Sequence, residues 1–209
     1  MKLQICGAAQ TVTGSCHALT LENGFKLIMD CGLYQGHEDE LENFNHQWFF
    51  NPSEIDVLIL SHAHIDHCGR IPKLVNDGFR GKIYCTSATR DLAAIMLMDS
   101  AHIQETDAEY ESRKFKKTVN PLYTQLDAKN CLKYFRCVEY DNWFSINQDI
   151  KALFSDAGHI LGAASITLKI NENGKETMLG FSGDIGRYNR PILKDPVQMP
   201  ELDYFICES

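Results

Sequence analysis

Residues 58–70 read LILSHAHIDHCGR, an apolar run ending at Leu60 that delivers His62, His64, Asp66 and His67 within six residues. The chain holds only eight histidines in 209 residues, so three of them around one aspartate mark a metal site rather than a solvated loop. Residues two apart on an extended segment point the same way, so His62 and His64 can converge on one ion. Asp66 and His67, round the next bend, then face another, and two ions are implied. The helical HExxH arrangement spaces its histidines four apart; HxHxDH is a different geometry, with ligands held on a loop after a strand. Mixed imidazole and carboxylate ligation suits zinc or a similar transition metal.

Two further pieces lie downstream. His159 sits in DAGHILGAAS, a Gly-flanked loop between expected strands, and Asp184 follows another expected strand in FSGDIGR. Alone, such a histidine is more often structural and such an aspartate more often a turn former. Beside HxHxDH they gain weight: His62, His64 and His159 would give one zinc three nitrogens, while Asp184 could bridge to a second held by Asp66 and His67. Asp30, just before Cys31-Gly32, is either a solvated cap or an acid holding the free ring N–H of a metal-bound histidine. His17, His37, His46 and His102 lack partners at ligand spacing and receive no role.

Around this site the pattern is mixed. Strands are expected at 3–6, 16–21 and 25–30, with Asn23-Gly24 as a type I′ turn between the last two. The intervening GAAQTVTGSC can pack tightly or admit a ligand against its backbone. Helix follows at 69–76 with Gly78 as its cap, then a strand at 82–85 and a long helix capped by Thr86 or Ser87. Leu92, Ile95, Met96, Leu97 and Met98 make that helix apolar on most sides, a core signature. Arg113, Lys114, Lys116 and Lys117 read as a solvated basic face, and Thr124 with Asp127 as a capping box. Strands at 150–154, 164–170, 177–181 and 204–207 close the chain, with a second Asn-Gly turn at 173–174. No low-complexity linker divides it, so residues 1–209 read as one domain of the α/β class.

Composition sets bounds on function. At 44% hydrophobic and 23% charged the chain is ordinary globular material. It shows no amino-terminal targeting pattern and no apolar run near the ~18 residues of a membrane span, so the cytoplasm is the default compartment and no membrane partner is expected. Eight cysteines without a CxxC suggest reduced, mostly buried thiols. A net charge of −8 argues against a surface that grips nucleic acid unaided.

In order and spacing, Asp30, the His62–His67 motif, His159 and Asp184 resemble the metal-site motifs of the metallo-β-lactamase superfamily. TVTGSCH, HCGRIPKL, GFRGKIYCTSATRDLA, DAGHILGAAS, FSGDIGR and the terminal ICES look like its β-CASP branch, whose members process RNA and, in some lineages, DNA. Cys68 stands where relatives often have serine. The resemblance implies a four-layer αβ/βα sandwich, incomplete at its carboxyl end, with a β-CASP insert expected to begin just after residue 209. It implies two Zn2+ at the strand ends, ligated by His62, His64, Asp66, His67, His159 and Asp184. Asp66, Asp184 and Glu208 fall in catalytic positions, Glu208 matching the acid that opens the insert's motifs, and Asp30 stands behind the ligands.

The activity so implied is a zinc-dependent ribonuclease that hydrolyses single-stranded RNA through a metal-activated hydroxide, with a homodimer allowed. A thioester or lactone hydrolase would share HxHxDH but not GRIPKL or ICES, and a non-catalytic RNA-binding relative would be expected to have lost ligands. Residues 1–209 alone are expected to be a poor nuclease, with the second zinc under-occupied and apolar surface left exposed.

Overall fold

The computed structural model describes residues 1–36 and 44–208; His37 and Ser209 lie outside them. Two sheets, of six and of five strands, each hold their strands in chain order. In the first, β1 (Lys2–Ile5), β2 (His17–Thr20) and β3 (Lys26–Met29) form an antiparallel meander. Next, β4 (Val57–Ile59), β5 (Lys82–Cys85) and β6 (Phe135–Cys137) add in parallel. Helices supply the crossovers: α1 (Ile65–Cys68) and α2 (Ile71–Asn76), then α3 (Ser87–Phe115) and α4 (Gln125–Cys131). The second sheet holds β7 (Phe144–Ser145), β8 (Ile150–Asp156), β9 (Ala164–Glu172) and β10 (Lys175–Phe181), antiparallel throughout, with β11 (Tyr204–Ile206) parallel to β10.

The period-2 alternation of strand side chains sorts the core into two layers. Ile28, Leu58, Leu60 and Ile83 face the helices, joined by Leu74, Phe79, Ala93 and Leu97. Leu27, Met29, Val57, Ile59 and Tyr84 point the other way, against Phe154, Ile166, Leu168 and Phe181 of the second sheet. All three residues of β4 are buried, which is why the stretch before the histidines is continuously apolar. The result is helices, sheet, sheet. Among the described residues no helix covers the far face of the second sheet. The irregular segment before β11 runs back along that sheet, Val197 N–H bonding Asp156 O and Asp203 N–H bonding Met178 O.

Three local expectations are corrected. Asn23-Gly24 is not a type I′ turn: Thr20 pairs with Lys26 across a five-residue loop, and only Gly24 takes positive φ. Asn173-Gly174, a two-residue loop between paired Glu172 and Lys175, has both residues at positive φ as type I′ demands. On α3 the apolar residues do not all face inward. Thr89, Ala93, Leu97, Ala101 and Ala108 form one buried stripe, while Ile95 is 67% exposed. Asp66 and His67 lie not on loop but in α1, which turns both back under the strand ends.

The Thr124–Asp127 capping box and the Thr86 cap form as read. All eight cysteines are free, six of them buried. Among the described residues no helix is long and apolar enough to cross a membrane.

Candidate metal centre

Both sheets contribute their strand ends to one cluster. From the first come Asp30, directly after β3, the 61–64 segment after β4, and α1. From the second come His159, in the loop between β8 and β9, and Asp184, three residues past β10. The His159 loop is anchored on the first turn of α3, where Thr86 Oγ1 and Thr89 Oγ1 both donate to Gly162 O, at 2.7 and 2.8 Å.

His62, His64, His159 and Asp184 offer ligand atoms that all lie within 4.8 Å of one another. His64 Nδ1 stands 3.0 Å from His62 Nε2 and 3.1 Å from His159 Nε2. Asp184 Oδ2 lies 3.4 Å from His159 Nε2 and 3.7 Å from His62 Nε2. Four donors on a tetrahedral ion with bonds of about 2.0–2.1 Å stand about 3.3 Å apart, so these edges match such a coordination shell. The donor set fits a divalent metal ion.

The other oxygen of Asp184 faces a second set. Asp184 Oδ1 is 3.2 Å from His67 Nε2, and Asp66 Oδ2 is 3.7 Å from the same nitrogen. Behind them Asp30 is fully buried, and it is no solvated cap. Its Oδ2 accepts from His67 Nδ1 at 2.7 Å, Ser61 Oγ at 2.8 Å and Ser15 Oγ at 3.3 Å, while Oδ1 accepts Ser61 N–H at 2.8 Å. That bond fixes the tautomer of His67 and leaves Nε2 free to face Asp184.

The carboxylates around His67 favour positive charge on that ring. Burial alone would lower the pKa of His67, but hydrogen bonds to Asp184 and Asp30 outweigh it and hold the ring protonated up to about 10. Burial pushes His62 and His64 down instead, leaving both neutral and ready to ligate. Against its own burial, the Asp184 carboxyl is lowered by the hydrogen bond and charge of His67.

A cavity of about 440 Å³ opens over the Asp66, His67 and Asp184 side, walled by the small-residue loop before β2 and by Glu208. That loop does both things its composition allows: Gly7 and Gly14 pack against each other and Tyr34, while Ala8, Ala9 and Thr11 line the cavity. Glu208 lines this cavity with Asp66, His67 and Asp184, and its hydrogen bonds run to the segment that carries Asp184. Its Oε1 accepts Ile185 N–H at 2.7 Å and its own N–H donates to Ser182 Oγ at 2.9 Å, so it braces the backbone on both sides of Asp184. Sequence reading overlooked Ser61, whose hydroxyl lies between Asp30 and His62 Nδ1; its position between the apolar run and the first histidine is the only signal. His46 and His102 are exposed. His17 is buried near the cluster with Nδ1 unpaired among the described residues.

Residues 18–179 match the family model of the metallo-β-lactamase superfamily domain. The chain belongs to that superfamily. Among curated members of known name, it is 35% identical over 210 residues to Ribonuclease TTHA0252 of Thermus thermophilus, covering all of this chain and 43% of the relative. It is 32% identical over 210 residues to Transcription termination factor FttA of Methanocaldococcus jannaschii, covering all of this chain and 31% of that protein. The chain thus spans less than half the length of these superfamily relatives. A solved metallo-β-lactamase from Cronobacter sakazakii superposes with a TM-score of 0.53 at 15% identity, over 91% of this chain and 62% of that one, a likeness of fold alone.

Proposed function

We propose that this chain is the metallo-β-lactamase-type domain of a zinc-dependent ribonuclease of the β-CASP type, acting on single-stranded RNA. The observation that carries the reading is the carboxylate of Asp184, which turns Oδ2 toward His62 and His159 and Oδ1 toward His67. One carboxylate between two donor sets is the arrangement a two-ion centre requires. His62, His64 and His159 would hold the first Zn2+ and Asp66 and His67 the second, with Asp184 facing both sets. Bound there, the pair supplies a nucleophile at neutral pH and neutralises the phosphodiester oxygens.

The chain's own residues do the positioning. Asp30 holds His67 through Nδ1, Ser61 ties Asp30 to His62, and Glu208 steadies the Asp184 loop from the cavity wall. Ribonuclease is the name of the 35% identical relative, and it favours a phosphodiester over a thioester or lactone. The test is cleavage of a labelled single-stranded RNA by the zinc-loaded full-length protein beside a thioester substrate, with zinc content measured on the same sample. RNA cleavage that a chelator abolishes and zinc restores is expected. Thioester turnover without RNA cleavage, or protein that holds no metal after preparation in excess zinc, refutes the reading.

A further inference from the structure

Just past Asp184 the sequence reads RYNR at 187–190. The backbone turns at 188–189, with Asn189 at φ +58° and its N–H donated to Asp195 Oδ1 at 2.6 Å. An asparagine tolerates that left-handed conformation at little cost. The turn sets Arg187 and Arg190 on one wall: both line a cavity of about 300 Å³ together with Gly158, His159, Ile185 and Gly186. Two guanidinium-bearing residues therefore share a cleft with a histidine of the metal centre, on the side away from His67.

Their placement is fixed rather than accidental. Gly186 N–H donates to Ala157 O at 2.8 Å, and a Cβ on Gly186 would lie 1.7 Å from Gly158 O. The arginine turn is thus clamped directly onto the loop that carries His159. Among the described residues the arginine–carboxylate pairs are those of Arg90 and Arg113; Arg187 and Arg190 have none. Asp195, the acid on the same loop, accepts the Asn189 amide. At the tip, Tyr188 is 68% exposed. In a chain of net charge −8, two free cations flanking an exposed aromatic ring beside the metal centre call for an explanation.

Guanidinium groups recognise phosphate oxygens by paired hydrogen bonds. An exposed aromatic ring offers a stacking surface to any base, whatever its identity. We propose that residues 187–190 position the RNA strand: Arg187 and Arg190 take phosphates flanking the scissile one on the His159 side, and Tyr188 stacks on the adjoining base. This rests on the ribonuclease reading above, and it predicts a substrate longer than a dinucleotide with little sequence preference at that base. These are positioning residues and touch no reacting atom.

The test measures binding of a phosphorothioate oligouridylate to zinc-loaded protein across a salt series, with zinc content and turnover of bis(p-nitrophenyl) phosphate as controls. Each phosphate contact on a single strand contributes about 0.7 to the slope of log affinity against log salt. R187A/R190A should therefore flatten the slope by about 1.4, with R187K/R190K restoring most of it. Y188A should weaken binding by roughly 5- to 150-fold with the slope unchanged. Zinc content and turnover of the small diester, which has no flanking phosphate, should stay within about twofold of wild type. If wild-type protein binds and cleaves RNA while R187A/R190A keeps its slope, this inference alone is overturned. If full-length wild-type protein neither binds nor cleaves RNA, the ribonuclease reading falls, and this one with it.

Discussion

Replacing Asp30 by asparagine separates what holds His67 from what merely surrounds it. Asp30 sits fully buried at φ +57°, a conformation that asparagine also accepts. Ser61 N–H can only donate, so the amide oxygen of an Asp30→Asn side chain must take the place of Oδ1, which accepts it at 2.8 Å. The NH2 group then occupies the Oδ2 position, 2.7 Å from His67 Nδ1. Two donors cannot face each other, so His67 moves its proton to Nε2, the atom 3.2 Å from Asp184. A protonated nitrogen cannot ligate. Losing such a partner behind a metal ligand costs about 10- to 100-fold in affinity, or about 1.4–2.7 kcal/mol. Both serine hydroxyls can rotate to accept from the new amide, so the fold should survive. Asp30→Ala, by contrast, orphans Ser61 N–H and His67 Nδ1–H at roughly 1–3 kcal/mol each, about 2–6 kcal/mol in all and a large share of a typical domain's stability. Zinc titration calorimetry on chelator-stripped protein should show Asp30→Asn keeping its tighter site and weakening the other. Two sites of wild-type affinity in a folded Asp30→Asn protein would refute the role given to this carboxylate.

Asp184→Asn should weaken both zinc positions together and reduce RNA cleavage far more than His102→Ala at an exposed histidine; equal effects in zinc titration and cleavage assays would remove Asp184 from the bridge. Proton linkage gives a second check. In metal-free protein His67 is raised from its ordinary value to about 10, so its stabilising contribution is complete below pH ~6.5 and lost as pH rises toward 10. Zinc on the His67 side must displace that proton, so its affinity should rise about tenfold per pH unit between roughly 6.5 and 10; calorimetry in buffers of different ionisation enthalpy at pH 7 should count about one proton released, and none would contradict the assignment. Gly32→Ala would place a Cβ 1.6 Å from Asp66 O, and it should lower the melting temperature and the affinity of the second zinc while sparing the first.

What could be read from sequence depended on how local each signal was. HxHxDH was legible because four of the side chains come from one strand end and the turn of helix after it, and the Thr124–Asp127 box because both of its partners lie within one turn. His159 and Asp184 gained meaning only in company, since nothing near them in sequence says which strand ends they will share. Ser61 was missed for the same reason: its carboxylate partner is Asp30, 31 residues away. Identical Asn-Gly pairs gave different turns because loop length, set by register, decides the turn type. On α3 the composition promised burial on most sides, but full burial is confined to the stripe through Ala93, Leu97 and Ala101, with Leu92 and Met98 half-buried beside it and Ile95 exposed. The strands β6 and β7 are too short to show a period.

The division of the centre between two sheets bears on how the chain folds. His64 and His159 approach within 3.1 Å although 95 residues separate them, and β2 to β4 must already be docked on β8 to β10 for that to happen. No early folding intermediate containing only the first sheet can present a complete donor set. A metal ion held by that set would therefore not nucleate this fold; it would latch it, capturing the docked sheets and slowing their separation. Such a latch acts on the unfolding rate and leaves the folding rate alone, because the contacts it secures are among the last and most distant in sequence to form.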